Sequence, residues 1–475
     1  MKRSFAVSVV AIVLMSGACA AKGGETSGGD AGSASTTLAK ATTTSKRFGT
    51  MASPCGPGVD GRKITIKADE AGRSPDKLSI GIANDQTAEA RPGLLKEVWD
   101  STVAFAKWCN GQGGIGGLEV VPVDLDGQLF KVESAMTVAC SQTFALVGGG
   151  WAQDNLAFTG KDGSDFHKCK MIAFPGFTVS TDFSDANGVI QPSPSDAYRK
   201  PITPAEDLQK MYPEEVKKTT AVYGEGLDSV RINKDQYKAV MQQVPGYGFL
   251  DDISFKLLNQ DFSVTAQKVM DLGATAEYFV GEPEDWSSLL SELGTKGYKG
   301  INFAETNEYD PRLFVKGPDV ANGALIRLGV HPFEEADKWP ATKQFVDIMK
   351  TDGPPGAKIA SLGVSSFSAA LLFATAVNDC ARSTGGQVDR ACVVDAAKKI
   401  TSWDGGGLQA PADPSGKSTE ACIMYMVAEH GTFERKFPKL GSKDDTKDGF
   451  HCEPDGIVPI QGDFGHGNVD RSLPS

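Results

Sequence analysis

At roughly 100–200 residues per domain, a chain of 475 residues is expected to hold two or more packed cores. With 40% hydrophobic and 23% charged residues its composition is that of a folded, soluble protein, which excludes a disordered chain and a multi-span membrane protein. A formal charge of −12 argues against nucleic acid as a partner, because phosphate binding depends on clustered Lys and Arg.

The chain opens with Lys2 and Arg3, then an apolar run from Phe5 to Met15 that is too short to span a bilayer but suits a secretory signal over residues 1–18. The run closes on Ser16, Gly17, Ala18 and Cys19, which resembles the lipobox of bacterial lipoproteins and implies a lipid on Cys19; a plain signal peptide with a chance cysteine is the alternative. Residues 19–50 are mostly Gly, Ser, Thr and Ala and read as a flexible tether between membrane and folded domain.

From Leu78 onward, short apolar runs alternate with segments of helical period, the pattern of β-α units with parallel sheets. "LSIGIA", "LEVVPVD", "FALVGG" and "MIAFPG" read as strands, and "PGLLKEVWDSTVAFAKWCN" as the first crossover helix, with Pro92 in its first turn. A second series after Pro201 gives strands "TTAVYG", "DISFKLL", "AEYFVG" and "GINFAE", separated by helices. "GALIRLGV" leads to three further helical segments and to late strand candidates "ACIMYMVAE" and "TFERKFP". The expected division is one lobe from 51–200 plus 330–475 and another from 201–329.

Nine cysteines are present; with Cys19 set aside as the lipid carrier, the remaining even number in an exported chain favours disulfides. Sequence alone does not select among the connectivities. Pairing neighbours within a lobe gives Cys140 with Cys169, Cys380 with Cys392, Cys422 with Cys452, and leaves Cys55 with Cys109.

Several motifs invite chemistry. Gly111, Gly113 and Gly116 have G-x-G-x-x-G spacing, but a dinucleotide turn follows a strand and opens a helix, whereas here a helix precedes and a strand follows. These glycines read as a helix stop and tight turn. "DPSGKST" lacks the first glycine of a phosphate loop, since Pro411 stands in its place. There is no G-x-S-x-G elbow, and the five histidines, His167, His331, His430, His451 and His466, lack metal-like spacing, so no cofactor and no metal are expected.

The stretch "WCNGQGGIGGLEVVPVDLDGQ" resembles a hallmark of the extracytoplasmic solute-binding proteins of ABC importers, in the leucine/isoleucine/valine-binding branch of the type I periplasmic fold. "FALVGGG", "MIAFPGFT", "YGEGL", "DFSVTAQKVMDLGA", "GYKGINFAE" and "SSFSAALLFATAV" follow in the family's order, from about Leu78 to about Pro438. The resemblance implies two Rossmann-like α/β lobes with parallel sheets, joined by a multi-stranded hinge, that close on a small solute without covalent chemistry and deliver it to a membrane permease. It implies no enzymatic step, a monomer, and a site outside the cell membrane, held by the lipid on Cys19.

It also implies ligand positions on the loops after the strands. "GWAQDN" offers Gly150, Trp151 and Gln153 where members of the family place small hydroxyl residues; Trp151 would fill space or stack. Phe177 and Thr178 occupy the loop that gives an amide and a hydroxyl to a ligand carboxylate. In the second lobe "YGEGL" suggests Tyr223 and Glu225, with the alternative that Tyr223 ends its strand. Glu282 stands where an aromatic residue is usual, Glu305 where a carboxylate holds an α-ammonium, and Phe367 where a residue lines the cleft or packs in the core. Thr178 and Glu305 point to an amino acid or amide-like zwitterion, while Trp151 and Glu282 point to one bulkier or more cationic than a branched-chain amino acid. A sensing lipoprotein of the same fold, signalling to a membrane partner, and an exported hydrolase with a scattered triad are the alternatives.

Overall fold

The computed structural model describes residues 46–155, 164–256, 261–419 and 421–465. The signal segment, Cys19 and the tether as far as residue 45 lie outside the described residues. The expected tether ran to residue 50, but Phe48 is fully buried in the first lobe, and Arg47–Phe48 pairs with Met51–Ala52.

The first lobe is built on a four-stranded parallel sheet of β1 (Lys77–Asn84), β2 (Glu119–Asp126), β3 (Ala145–Val147) and β4 (Ala173–Phe174), in the order β2-β1-β3-β4. Between β1 and β2 runs α1 (Lys96–Asn110), which buries Val98, Thr102, Phe105, Ala106 and Cys109 on one face as its period requires. It starts later than Pro92, because Leu95 adopts a left-handed φ of 57° and residues before it close a turn through the Gly93 amide and the Gln86 carbonyl. The glycines after α1 form the expected turn. Gly113 has φ 109° and Gly116 φ 56°, and a Cβ at Gly116 would stand 2.7 Å from Ile64 Cγ2.

The second lobe carries β5 (Thr219–Glu225), β6 (Ile253–Lys256), β7 (Ala276–Val280), β8 (Ile301–Ala304) and β9 (Leu325–Leu328). These run parallel in the order β6-β5-β7-β8-β9, with α2 (Asp228–Met241) and α3 (Pro283–Thr295) among the crossovers. The chain then returns to the first lobe for α4 (Pro340–Asp352), α5 (Ser361–Thr384) and α6 (Arg390–Ala397). The 24-residue α5 is long and apolar enough to cross a membrane, yet it is buried as the central helix of that lobe.

The expected boundary at 330–475 requires correction. β10 (Cys422–Glu429) pairs antiparallel with β9, and β11 (Thr432–Phe437) pairs with β10, so both strands extend the second sheet. β10 is buried on both faces, with Met424 and Met426 in one second-lobe core and Ile423 and Tyr425 in the other, so it sits inside the sheet against β9, while β11 alternates buried and exposed residues as an outer strand does.

The chain therefore passes between the lobes near residues 191–202, 329–339 and 408–421. These crossings are tied to one another: Val330 bridges Gln409, the Ala410 amide donates to the Gly329 carbonyl at 2.8 Å, and Gln409 Nε2 donates to the Pro192 carbonyl at 2.9 Å. The tail adds another link. Ile457–Pro459 pairs antiparallel with Arg199–Pro201, and further on the Phe464 carbonyl accepts from Thr181 Oγ1 in the first lobe. All four expected disulfides are formed: Cys55–Cys109, Cys140–Cys169, Cys380–Cys392 and Cys422–Cys452.

Candidate ligand cleft

Two buried carboxylates shape the first-lobe side of the cleft. Asp85, just past β1, accepts the Leu129 and Ala152 amides at 2.7 Å each, and Asp154 accepts the amides of Val179 at 2.7 Å and Ser180 at 2.9 Å. Burial pushes Asp154 up to about 7, against the pull of the Ser180 and Val179 donors. Together they pin the loops after β2, β3 and β4 to one another. An Asp closing a strand was a usable sequence signal for Asp85; Asp154 carried none.

Between the lobes, at the hinge, lies a cavity of about 210 Å³. Phe177, Thr178 and Leu362 line it from the first lobe, Tyr237 and Arg327 from the second, and Lys200 from the crossing strand Arg199–Pro201. Thr178 Oγ1 accepts from Gln191 Nε2 at 2.7 Å, and Gly150 packs under the Phe177 ring, where a Cβ would stand 2.7 Å from it. A second cavity of about 280 Å³ brings Gln153 and Asn155 of the first lobe to Tyr223, Glu225 and Arg231 of the second. Gln153 Nε2 is buried there without a hydrogen-bond partner. Tyr223 sits inside β5, two residues before its end, and also faces this cavity, with Lys234 Nζ 4.6 Å from its ring centroid. Glu225 is exposed and accepts from Ser254 at 2.9 Å.

Two expected ligand residues are placed elsewhere. Trp151 is fully buried in the first-lobe core, and its Nε1 donates to the Leu125 carbonyl at 2.8 Å. Phe367 is fully buried among Phe48, Phe105, Trp108 and Phe345. Earlier on α5, Leu362 and Ser365 reach the cleft instead.

Glu305 is likewise not free to hold an ammonium group. It is ion-paired with Arg327 and accepts from Tyr278 Oη at 3.3 Å. Arg327 also donates to Tyr237 Oη, with its guanidinium 4.3 Å from the Tyr237 ring centroid. Lys200 is 4% exposed, and burial, with the nearby Arg327 charge, presses its pKa down to about 8. Lys200 and Arg327 carried no signal in sequence, because a cation on a hinge strand and one on β9 meet only in three dimensions.

Glu282 lines neither cavity. It belongs to a charged cluster where the lobes meet, at 3.4 Å from Arg312, which also pairs with Glu284 and Asp310. Three ion pairs in this cluster cross between lobes: Arg91 with Asp285 at 2.6 Å and with Glu284 at 3.6 Å, and Lys358 with Asp310 at 2.7 Å, while Lys358 also holds Glu97 of its own lobe. Burial, helped by the charges of Glu284 and Glu97 and opposed by Arg312 and Arg91, raises Glu282 to about 7, although 26% of its side chain meets solvent. A carboxyl raised in the folded state contributes stability that is full below its ordinary value of 4.5 and is lost as pH climbs through about 7. Glu282→Gln is therefore expected to flatten the decline in urea midpoint across that window; an unchanged slope would assign the decline to other groups.

Among the described histidines, His167 meets Ser164, His331 stacks on Trp339, His430 pairs with Asp319 at the surface and His451 with Asp207. None lines either cavity, and His466 lies outside the described residues. Ser164 caps the short helix Asp165–Lys168, so its contact with His167 serves that cap.

Residues 180–431, more than half of the chain, match the model of a family described as periplasmic binding protein. The chain belongs to that family. No curated protein matches it significantly. The periplasmic binding fold recurs in a fatty acid ABC transporter substrate-binding protein from Thermomonospora curvata, at 16% identity and TM-score 0.64, covering 78% of this chain and 95% of that one. A leucine-binding protein from Thermotoga maritima gives 17% identity and TM-score 0.61 over 76% and 97% of the two chains. An ABC transporter solute-binding protein from R. palustris, in complex with 4-hydroxybenzoate, gives 14% and 0.59 over 82% and 99%. The type I periplasmic fold with two α/β lobes, to which the sequence motifs point, is thus the fold found.

Proposed function

We propose that this protein is the solute-capturing component of an ABC import system, exported, held at the outer face of the cell membrane by a lipid on Cys19, and delivering its ligand to a permease without chemical change. The observation that carries this reading is the cavity at the hinge, walled by loops of both lobes and by the crossing strands, so that opening the lobes exposes it and closing them seals it. Family membership supports capture, and the apolar run ending at Cys19 supports export.

The fatty acid, leucine and 4-hydroxybenzoate named for the structural relatives share a carboxylate. The ligand class proposed here is accordingly a small organic acid, with amino acids as one subclass. A thermal-shift screen of amino acids, short amides, polyamines, small peptides and monocarboxylates tests capture, because a ligand held only by the folded chain adds about 2.7 kcal/mol at a hundred times its Kd. At least one solute should raise the melting temperature with one-to-one stoichiometry in calorimetry. A flat response across the whole panel would sink the reading.

A further inference from the structure

We propose that the hinge end of the cleft is an anion subsite, in which Lys200 and Arg327 grip the carboxylate of a solute whose remaining body is apolar and carries no ammonium group. The inference rests on the reading of this cavity as the solute site.

The cations at this end are incompletely used by the protein. Lys200 Nζ donates to Ser195 Oγ at 2.8 Å and faces the Tyr237 ring at 6.0 Å, and an ammonium has three donors to place. Both side-chain contacts of Arg327, to Glu305 and to Tyr237, run through Nη2. Neither contact uses Nη1 or Nε, so each of these can donate a single charge-assisted hydrogen bond to a carboxylate oxygen, with Lys200 supplying the second cation. Two cations crowded at one buried cavity repel each other, and an anion between them relieves that repulsion.

The same walls disfavour an ammonium group. The one carboxylate lining the cavity, Asp196, accepts the amides of Tyr198 at 2.7 Å and Arg199 at 3.0 Å through Oδ1, and its charge is answered by the neighbouring Lys200. Glu305 is committed to Arg327 and Tyr278. Phe177, Leu362, Val330 and Ile423 supply apolar surface for the body of the ligand.

A pH dependence follows. Lys200 faces Arg327, Asp196, Glu305, Asp185 and the Tyr237 ring, and burial with Arg327 places its pKa at about 8. A bound carboxylate raises that pKa, so binding takes up a proton and affinity falls as pH rises through about 8.

The test is titration calorimetry of the full chain with benzoate, hexanoate and leucine against benzamide, hexanamide and leucinamide. At pH 7 benzoate or hexanoate should bind, with its amide on the order of 100-fold weaker or worse, as expected for loss of charge-assisted hydrogen bonds. Lys200→Met should weaken that carboxylate on the order of 10–100-fold, Lys200→Arg should recover part of the loss, and both variants should keep the melting temperature of the unliganded protein. Amides or leucinamide binding as well as the acids, or a Lys200→Met variant with unchanged carboxylate affinity, overturns the anion subsite while leaving solute capture standing. No binding by any of the six probes overturns the subsite; capture itself falls only if the wider thermal screen is also flat.

Discussion

Phe367→Ala is expected to lower the unfolding free energy by about 3–5 kcal/mol while leaving solute affinity nearly unchanged. The ring is fully buried, with Phe48 at 5.2 Å, Phe345 at 5.4 Å, Phe105 at 5.5 Å and Trp108 at 6.0 Å between ring centroids. Truncation removes the transfer energy of the ring and leaves a hole that neighbours from α1, α4 and α5 cannot fill without leaving their own contacts. The loss is a large share of the roughly 5–15 kcal/mol that holds a typical domain together. Trp151→Ala should behave alike, with the added cost of leaving the Leu125 carbonyl without its indole donor. Urea unfolding followed by circular dichroism, paired with calorimetry of a bound carboxylate, checks both. A variant that keeps its stability and loses the ligand would return these side chains to the binding site.

Arg91→Met has a different signature, because its cost falls on closure. With the lobes in contact as in this structure, Arg91 is 15% exposed and its partner Asp285 only 7%, so removing the cation strands a buried carboxylate between the lobes. When the lobes part, Asp285 meets water and the penalty disappears. The closed state is therefore disfavoured by about 2–3 kcal/mol, at or just below the roughly 3–5 kcal/mol typical of breaking a buried pair, because the Arg312 charge remains nearby to offset part of the Asp285 charge while Glu284 adds to the repulsion. A ligand that binds only the closed form should lose about 30–150-fold in affinity, with the unliganded chain more extended in small-angle scattering. Unchanged affinity would mean that the Lys358–Asp310 bridge alone sets the closing equilibrium.

The fold was legible because its signals are local and repeated. The β-α alternation, the one-sided face of α1 and the glycine turn before β2 each follow from a few adjacent residues. The late strands were harder: "ACIMYMVAE" reads as a strand in any context, but its attachment to β9 depends on which sheet offers an edge, and no nearby residue encodes that. The site failed for the same reason. Trp151 and Phe367 occupy family positions next to the cleft, and a shift of two residues along the loop to Gln153 or along the helix to Ser365 separates core from lining. Glu305 stands on the expected strand end, yet its meaning reverses once Arg327, on the next strand of the sheet, neutralises it. Charge at a position can be read from a sequence; the partner that cancels it is a fact of the tertiary structure.

The C-terminal tail gives this protein a mechanical property beyond simple hinging. Ile457–Pro459 is zipped to the crossing strand Arg199–Pro201, its neighbouring segment is stapled by Cys422–Cys452 to the second lobe, and its far end reaches the first lobe at Thr181. Any swing wide enough to separate Thr181 from Phe464 must pull against that zipped strand, which works as a leash on the stroke.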